Sequence, residues 1–179
     1  MGQIKTDNAY LQDKVNLRSR HIPDPAVVLD CFAGEGIIWK MVKEMNPTKN
    51  IRTLAIEKEK KKGGFHLVGD NTRFLSALDL SVYNVIDLDS YGVPYDQLKI
   101  LFNRNYHGLV FFTFIQSFAG QLPWGMLEEI GFNRTMIEKS PVLCSRNGWP
   151  KFKEYLAIKG VTEVNFINHE RKYYGYFSI

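Results

Sequence analysis

Ala26-Val27-Val28-Leu29-Asp30-Cys31-Phe32-Ala33-Gly34-Glu35-Gly36 reads as a strand that runs into a glycine turn. The extended Pro23-Asp24-Pro25 sets up the apolar run, and Gly34 to Gly36 makes the turn. Beyond it Ile37, Ile38, Met41, Val42 and Met45 recur at helical spacing until Asn46-Pro47 stops them. In a strand, glycine loop and helix, the backbone can approach a ligand closely, and the helix N-terminus presents unpaired N–H groups.

The same alternation continues outward from this unit. Ile51 to Glu57 reads as a second strand, Phe65 to Val68 as a third, and Phe74, Leu75 and Leu78 mark a helix after it. Val82 to Asp87 makes a fourth strand, Tyr95 to Asn103 a helix, and the apolar Gly108 to Ile115 a fifth strand. Short β-rich runs that alternate with helical segments build a parallel sheet covered by helices. The stretch 119–147 has no clear periodicity, a helix is expected over 150–159, and two β-rich runs, 161–167 and 172–179, read as a closing antiparallel hairpin. Residues 1–25 are expected to form an N-terminal arm or helix in front of one domain spanning 26–179.

In such a sheet, ligands bind beyond the carboxyl ends of the strands. Asp30 closes the first strand, Glu57 the second, Asp70 the third and Asp87 the fourth, so four acids could line one edge. Glu57 follows Gly36 by about 20 residues, the distance at which an acid meets ribose hydroxyls in nucleotide-binding units. The plainer reading of this pair is a tight turn and a solvated acid. Dinucleotide enzymes share the two-glycine opening but need a small residue where Trp39 stands, which argues against a bound pyrophosphate.

Residues 26–179 resemble the class I S-adenosylmethionine-dependent methyltransferases. Val28 to Gly36 is similar to their first motif, which implies that Asp30, Phe32, Gly34 and Gly36 surround the methionine part of S-adenosyl-L-methionine. The resemblance further implies Glu57 on the ribose, Asp70 and Asn71 on the adenine, and Asp87 among the cofactor residues. The fold implied is Rossmann-like α/β, a mostly parallel seven-stranded sheet in the order 3-2-1-4-5-7-6 with a C-terminal antiparallel hairpin. Asp87-Leu88-Asp89-Ser90-Tyr91-Gly92 resembles the fourth-strand segment of tRNA guanine-N2 methyltransferases, with Ser90 where those enzymes carry proline. That likeness gives Asp89 and the Ser90 carbonyl the role of accepting hydrogen bonds from an exocyclic amine, and Tyr91 the role of stacking on a base. The plainer reading has Asp87 and Asp89 capping a helix and Tyr91 filling a gap.

Composition narrows the setting. At 179 residues with 45% hydrophobic and 23% charged residues, the chain has ordinary globular usage. Two cysteines without framework spacing, and a first segment without an apolar core, point to a cytoplasmic, reducing setting. No apolar run is long enough to span a membrane, and four scattered histidines offer no metal site. Neither cysteine stands in the Pro-Cys context of a pyrimidine-attacking nucleophile. A net charge of +4 permits a nucleic-acid partner, RNA ahead of DNA. Lys58, Lys60, Lys61 and Lys62 with Arg18 and Arg20 could contact phosphate, although a solvated connection is the commoner use of such a run. Phe111, Phe112, Phe114 and Phe118 read as core. Two rivals remain open: a methyltransferase of a small molecule or protein, and a catalytically inactive module of the same fold that works with a protein partner. The oligomeric state is left open.

Overall fold

A computed structural model describes residues 10–58, 66–116 and 120–179. The chain runs α1 (Leu11–His21), β1 (Ala26–Asp30), α2 (Ile37–Met45), β2 (Ile51–Glu57), β3 (His66–Val68), α3 (Asn71–Ala77), β4 (Val85–Leu88), α4 (Tyr95–Asn103) and β5 (Leu109–Ile115). Three short helices follow, α5 (Trp124–Glu129), α6 (Arg134–Lys139) and α7 (Pro141–Cys144), then α8 (Gly148–Ile158), β6 (Asn165–His169) and β7 (Lys172–Ser178). The seven strands form one sheet in the order β3-β2-β1-β4-β5-β7-β6. β1 to β5 pair in parallel, and β7 runs antiparallel to both β5 and β6, so the expected closing hairpin is present.

Successive strand side chains point to opposite faces, and both faces here are covered. Leu29, Ile56, Ile86, Val110, Phe112 and Phe114 pack under α3, α4, α5 and α8 through Leu75, Leu98, Met126 and Phe152. Their neighbours Val28, Val85 and Phe111 face the other way, against Val15 and Leu17 of α1 and Trp39 and Val42 of α2. Phe111, Phe112 and Phe114 are core, as their run suggests; Phe118 lies outside the described residues, as do Lys60, Lys61 and Lys62.

Several boundaries move for local reasons. β4 begins at Val85 rather than Val82, because Leu80–Val82 forms a turn of 3-10 helix capped by Asp79. Asn84 then uses its side-chain amide to accept from the Val27 N–H at 2.8 Å and donate to the Pro25 carbonyl at 2.8 Å, which clamps the start of β1. The last hairpin begins at Asn165 rather than Val161. Gly160, at φ 89°, reverses the chain after α8, and the buried Val161 returns its N–H to the Leu156 carbonyl at 3.0 Å. In the stretch without periodicity, Gln116 gathers the chain by donating to the carbonyls of Gly120 and Ser145 and accepting from the Gly148 N–H.

Within residues 1–25, helix α1 is fixed by charge as well as by apolar packing. Arg18 is 1% exposed, and it grips Asp87 of β4 with two hydrogen bonds of 2.7 and 2.6 Å. Arg18 therefore belongs to the interior and not to a phosphate-contacting surface. Its guanidinium also lies 5.4 Å from the centre of the Phe111 ring.

A buried ion pair gives little net stability against an apolar pair of similar volume, but removing one partner strands a buried charge. Arg18→Met is therefore expected to lower the free energy of unfolding by about 3–5 kcal/mol, read by urea denaturation. Arg18→Met combined with Asp87→Leu should recover part of that loss, because neither member of the pair is then left buried without its partner, although the Trp39 indole N–H loses its acceptor.

Candidate functional site

The carboxyl ends of β1, β2 and β4 lie side by side, in a register that matches Asp30 with both Ala55 and Asp87. Between them the loop after β1 folds back on β2: the Ala33 N–H donates to the Ile56 carbonyl at 3.1 Å. Gly36 caps α2 at φ 72°, in the left-handed region, and Gly34 sits at φ 55°. A Cβ at Gly36 would meet nothing within 4 Å, so this turn opens onto free space. No side chain caps α2, which leaves the N–H groups of its first turn available to an anion.

Glu57 braces the loop. One carboxylate oxygen accepts from the Gly34 N–H at 2.7 Å and the other from the Lys58 N–H at 2.9 Å. Asn71, at the start of α3, donates to the Cys31 carbonyl at 2.8 Å and accepts from Gln97 of α4 at 2.8 Å. Asp70 is exposed and caps α3, accepting on Oδ1 from the Thr72 backbone N–H at 2.8 Å and the Thr72 hydroxyl at 2.6 Å. Those bonds hold the Asp70 carboxyl below the usual carboxylate range. The structure thus brings Asp30, Phe32, Gly34, Gly36, Glu57 and Asn71 around one loop, with Asp70 beside Asn71.

Two acids at the end of β4 are placed differently from the rest. Asp87 gives both oxygens to Arg18, and Oδ2 also accepts from the Trp39 indole N–H at 2.8 Å. Its carboxylate thus faces α1 and α2, and Trp39 occupies its position for the sake of this bond. Asp89 pairs with Lys14 of α1, whose ammonium lies 2.9 Å from each carboxylate oxygen, and it also accepts from the Thr113 hydroxyl. Burial opposes the Asp89 charge, but Arg18 and Lys14 outweigh it, and the carboxyl titrates below its ordinary range. Ser90 is buried and donates its hydroxyl to the Thr113 carbonyl at 3.2 Å, whereas Tyr91 is 77% exposed. Neither Asp87 nor Asp89 caps a helix, because α4 begins after Pro94 with no side-chain cap.

Asp30 has no such partner. It is 4% exposed and accepts from the Phe32 N–H at 3.2 Å, and among the described residues no cation is ion-paired with it. Burial, reinforced by the nearby Asp87 charge, pushes its carboxyl well above the usual range. Lys14 and Arg18 match Asp89 and Asp87 in charge, so Asp30 is the surplus acid.

The residues that reasoning from sequence missed are Lys14, Trp39 in its hydrogen-bonding role, Gln97 and Thr113. A signal for Lys14 existed. Lys14 and Arg18 stand four apart on a helix, a rise of about 6 Å, and Asp87 and Asp89 stand two apart on a strand, a rise of about 6.6 Å. Among the described residues no cluster of three or more His, Cys, Asp or Glu could hold a metal ion, and no helix is long and apolar enough to cross a membrane.

The sheet order and this loop decide the comparison with known folds. The fold is that of the class I methyltransferases. The 1,6-didemethyltoxoflavin-N1-methyltransferase of Burkholderia thailandensis, with S-adenosylhomocysteine bound, matches 98% of this chain and 80% of its own at 14% identity, with a TM-score of 0.59. Precorrin-6y C5,15-methyltransferase of Geobacter metallireducens matches 100% and 92% at 12% identity and a TM-score of 0.54. TYW2 of M. jannaschii, in complex with AdoMet, matches 98% and 77% at 13% identity and a TM-score of 0.53. No protein-family description and no curated protein matches the sequence.

The surplus acid has a measurable consequence for stability. An acid whose pKa is higher in the folded state than in the unfolded chain loses stability as pH rises above the unfolded value, near pH 4. Asp30→Asn keeps the acceptor for the Phe32 N–H and removes the charge. It is expected to raise the melting temperature at neutral and alkaline pH, with the gain vanishing at roughly pH 4; calorimetric scans across that range check it.

Proposed function

We propose that this protein is an S-adenosyl-L-methionine-dependent methyltransferase that acts on an exocyclic amine of a nucleic acid, RNA ahead of DNA, by direct in-line transfer. The observation that carries the reading is the buried carboxyl of Asp30, ion-paired with no cation among the described residues, below an open glycine turn. A ligand that brings positive charge to that turn relieves the surplus, and S-adenosyl-L-methionine carries an ammonium, a sulfonium and a carboxylate.

The donor set fits the rest of the molecule. Unpaired N–H groups at the start of α2 suit its carboxylate. Glu57, which already accepts from the Gly34 and Lys58 N–H groups, is the acid assigned to the ribose hydroxyls. Asp70 retains acceptor capacity for an adenine amino group, with Asn71 beside it and the half-buried Phe32 at the other end of the loop. Asp87 contributes through Arg18 and Trp39, which fix the end of β4.

When bound, the cofactor supplies a methyl group on a positively charged sulfur. The chain's own residues supply position. An aromatic amine delocalises its lone pair into the ring, and two acceptors, Asp89 and the Ser90 carbonyl, favour the pyramidal form that frees it. The exposed Tyr91 ring offers a stacking face for the base. Catalysis of this kind rests on orientation and on preorganised acceptors.

A second reading has its own support. Asp89 already accepts from Lys14 and Thr113, which suits a module that keeps the fold and leaves catalysis, or substrate choice, to a protein partner.

Calorimetry with S-adenosyl-L-methionine tests the cofactor claim: Glu57→Ala and Asp70→Ala are each expected to weaken binding about tenfold or more. Unchanged affinity in Asp70→Ala removes the adenine assignment. Labelled methyl transfer to bulk RNA, DNA and protein tests the acceptor. RNA should take the label, and Asp89→Ala should lower the rate on the order of a hundredfold. Label in protein alone contradicts the nucleic-acid reading, and bound cofactor without transfer to any of the three supports the partner-dependent module.

A further inference from the structure

The ion pair between Lys14 and Asp89 bears on which acceptors can enter, an inference that rests on reading Asp89 as an acceptor-facing group. Both side chains are 10% exposed, and the ammonium contacts both carboxylate oxygens at 2.9 Å. The Lys14 ammonium also lies 5.0 Å from the centre of the Tyr174 ring of β7, so the cation is held from two sides. Thr113 takes a further position on Oδ1. Of about four lone-pair positions on a carboxylate, the remainder can accept from a neutral N–H.

The end of β4 therefore carries its own counter-charge. Arg18 neutralises Asp87 and Lys14 neutralises Asp89, all four side chains being nearly or fully buried. An incoming ammonium group would meet a carboxylate already matched, with two fixed cations close by. A neutral amine meets no such repulsion. Like-charge juxtaposition against the wrong partner is a recognised source of specificity.

We propose that Lys14 is a specificity-determining residue: by giving Asp89 a permanent internal cation, it closes the acceptor position to ammonium groups and leaves it open to uncharged acceptors such as an aromatic amine. Protein lysines and polyamines are then excluded by charge, whatever their fit in shape. Without Lys14, Asp89 loses the cation paired with it and recruits an ammonium from solution.

Thermal melting with small amines tests this in the 179-residue chain. Butylammonium matches the Lys14 stem and charge, and butanol matches the stem alone. Lys14→Ala should melt several degrees higher with butylammonium and be indifferent to butanol. Wild type, and Lys14→Ala combined with Asp89→Asn, should respond to neither. Lys14→Gln, which keeps most of the stem beside Tyr174, carries the same comparison if the alanine variant does not fold.

A wild-type protein that gains stability from butylammonium through Asp89 overturns the proposal, as does a folded Lys14 variant that ignores it. Failure of both variants to fold even with butylammonium present also overturns it, since Lys14 would then be structural alone. Asp89-dependent methylation of a lysine peptide by the wild type would do the same. Affinity for S-adenosyl-L-methionine, measured on the same samples, separates the two claims. A wild type that binds no cofactor removes the methyltransferase reading, while the butylammonium comparison still decides the role of Lys14.

Discussion

The bidentate contact between Arg18 and Asp87, with the Trp39 indole on the same carboxylate, joins α1, α2 and β4 at one buried point. Its net contribution to stability need not be large, because taking both charges out of water offsets most of their attraction. Its effect is on register. Asp87 cannot satisfy both oxygens unless α1 lies along the sheet with Arg18 inward. The same helix face then delivers Lys14 to Asp89 one turn earlier, and Arg18 also donates to the Lys14 carbonyl at 3.1 Å. The apolar contacts of Val15 and Leu17 seat the helix on the sheet face, and the guanidinium selects its position along the strands.

That register sets the electrostatics of the ligand-facing edge. With Asp87 and Asp89 matched, the buried Asp30 at the mouth of the glycine loop is ion-paired with no cation among the described residues. The edge is thus divided into a half that attracts positive charge, between β1 and β2, and a half that is neutral, at the end of β4. The two halves match the cationic cofactor and the uncharged acceptor proposed for this protein. The division comes from α1, which contributes no residue to the glycine loop.

Most of the fold was legible because its signals are local. Val28-Leu29, Val85-Ile86 and Phe111-Phe112 send neighbours to opposite covered faces, which is why the strands read as continuous apolar runs. The acids Asp30, Glu57 and Asp70 could be placed near one edge because each stands at or just after the end of a strand, whereas Asn71 entered only through the family resemblance. Asp87 and Asp89 show where that reasoning stops: their partners come from a helix about 70 residues earlier, and a sequence gives their charge but not who meets it. Residues 120–147 were opaque for a related reason: they break into three short helices that each bury only one or two apolar residues, with Gln116 and Ser145 bonding to backbone between them. Boundary errors at Val82 and Val161 have the same origin, in side-chain clamps and helix-end hydrogen bonds that override β propensity.

The edge between Gly34 and Asp70 is proposed to receive a cationic nucleoside ligand while α1 keeps the end of β4 neutral, and a crystal structure with S-adenosyl-L-methionine tests both halves of that proposal at once. Ligand density is expected to run from the N-terminus of α2, past Glu57, to Asp70 and Asn71, with the Arg18–Asp87 and Lys14–Asp89 pairs intact. Density elsewhere on the molecule, or a ligand that reaches its place only by breaking those pairs, would contradict it.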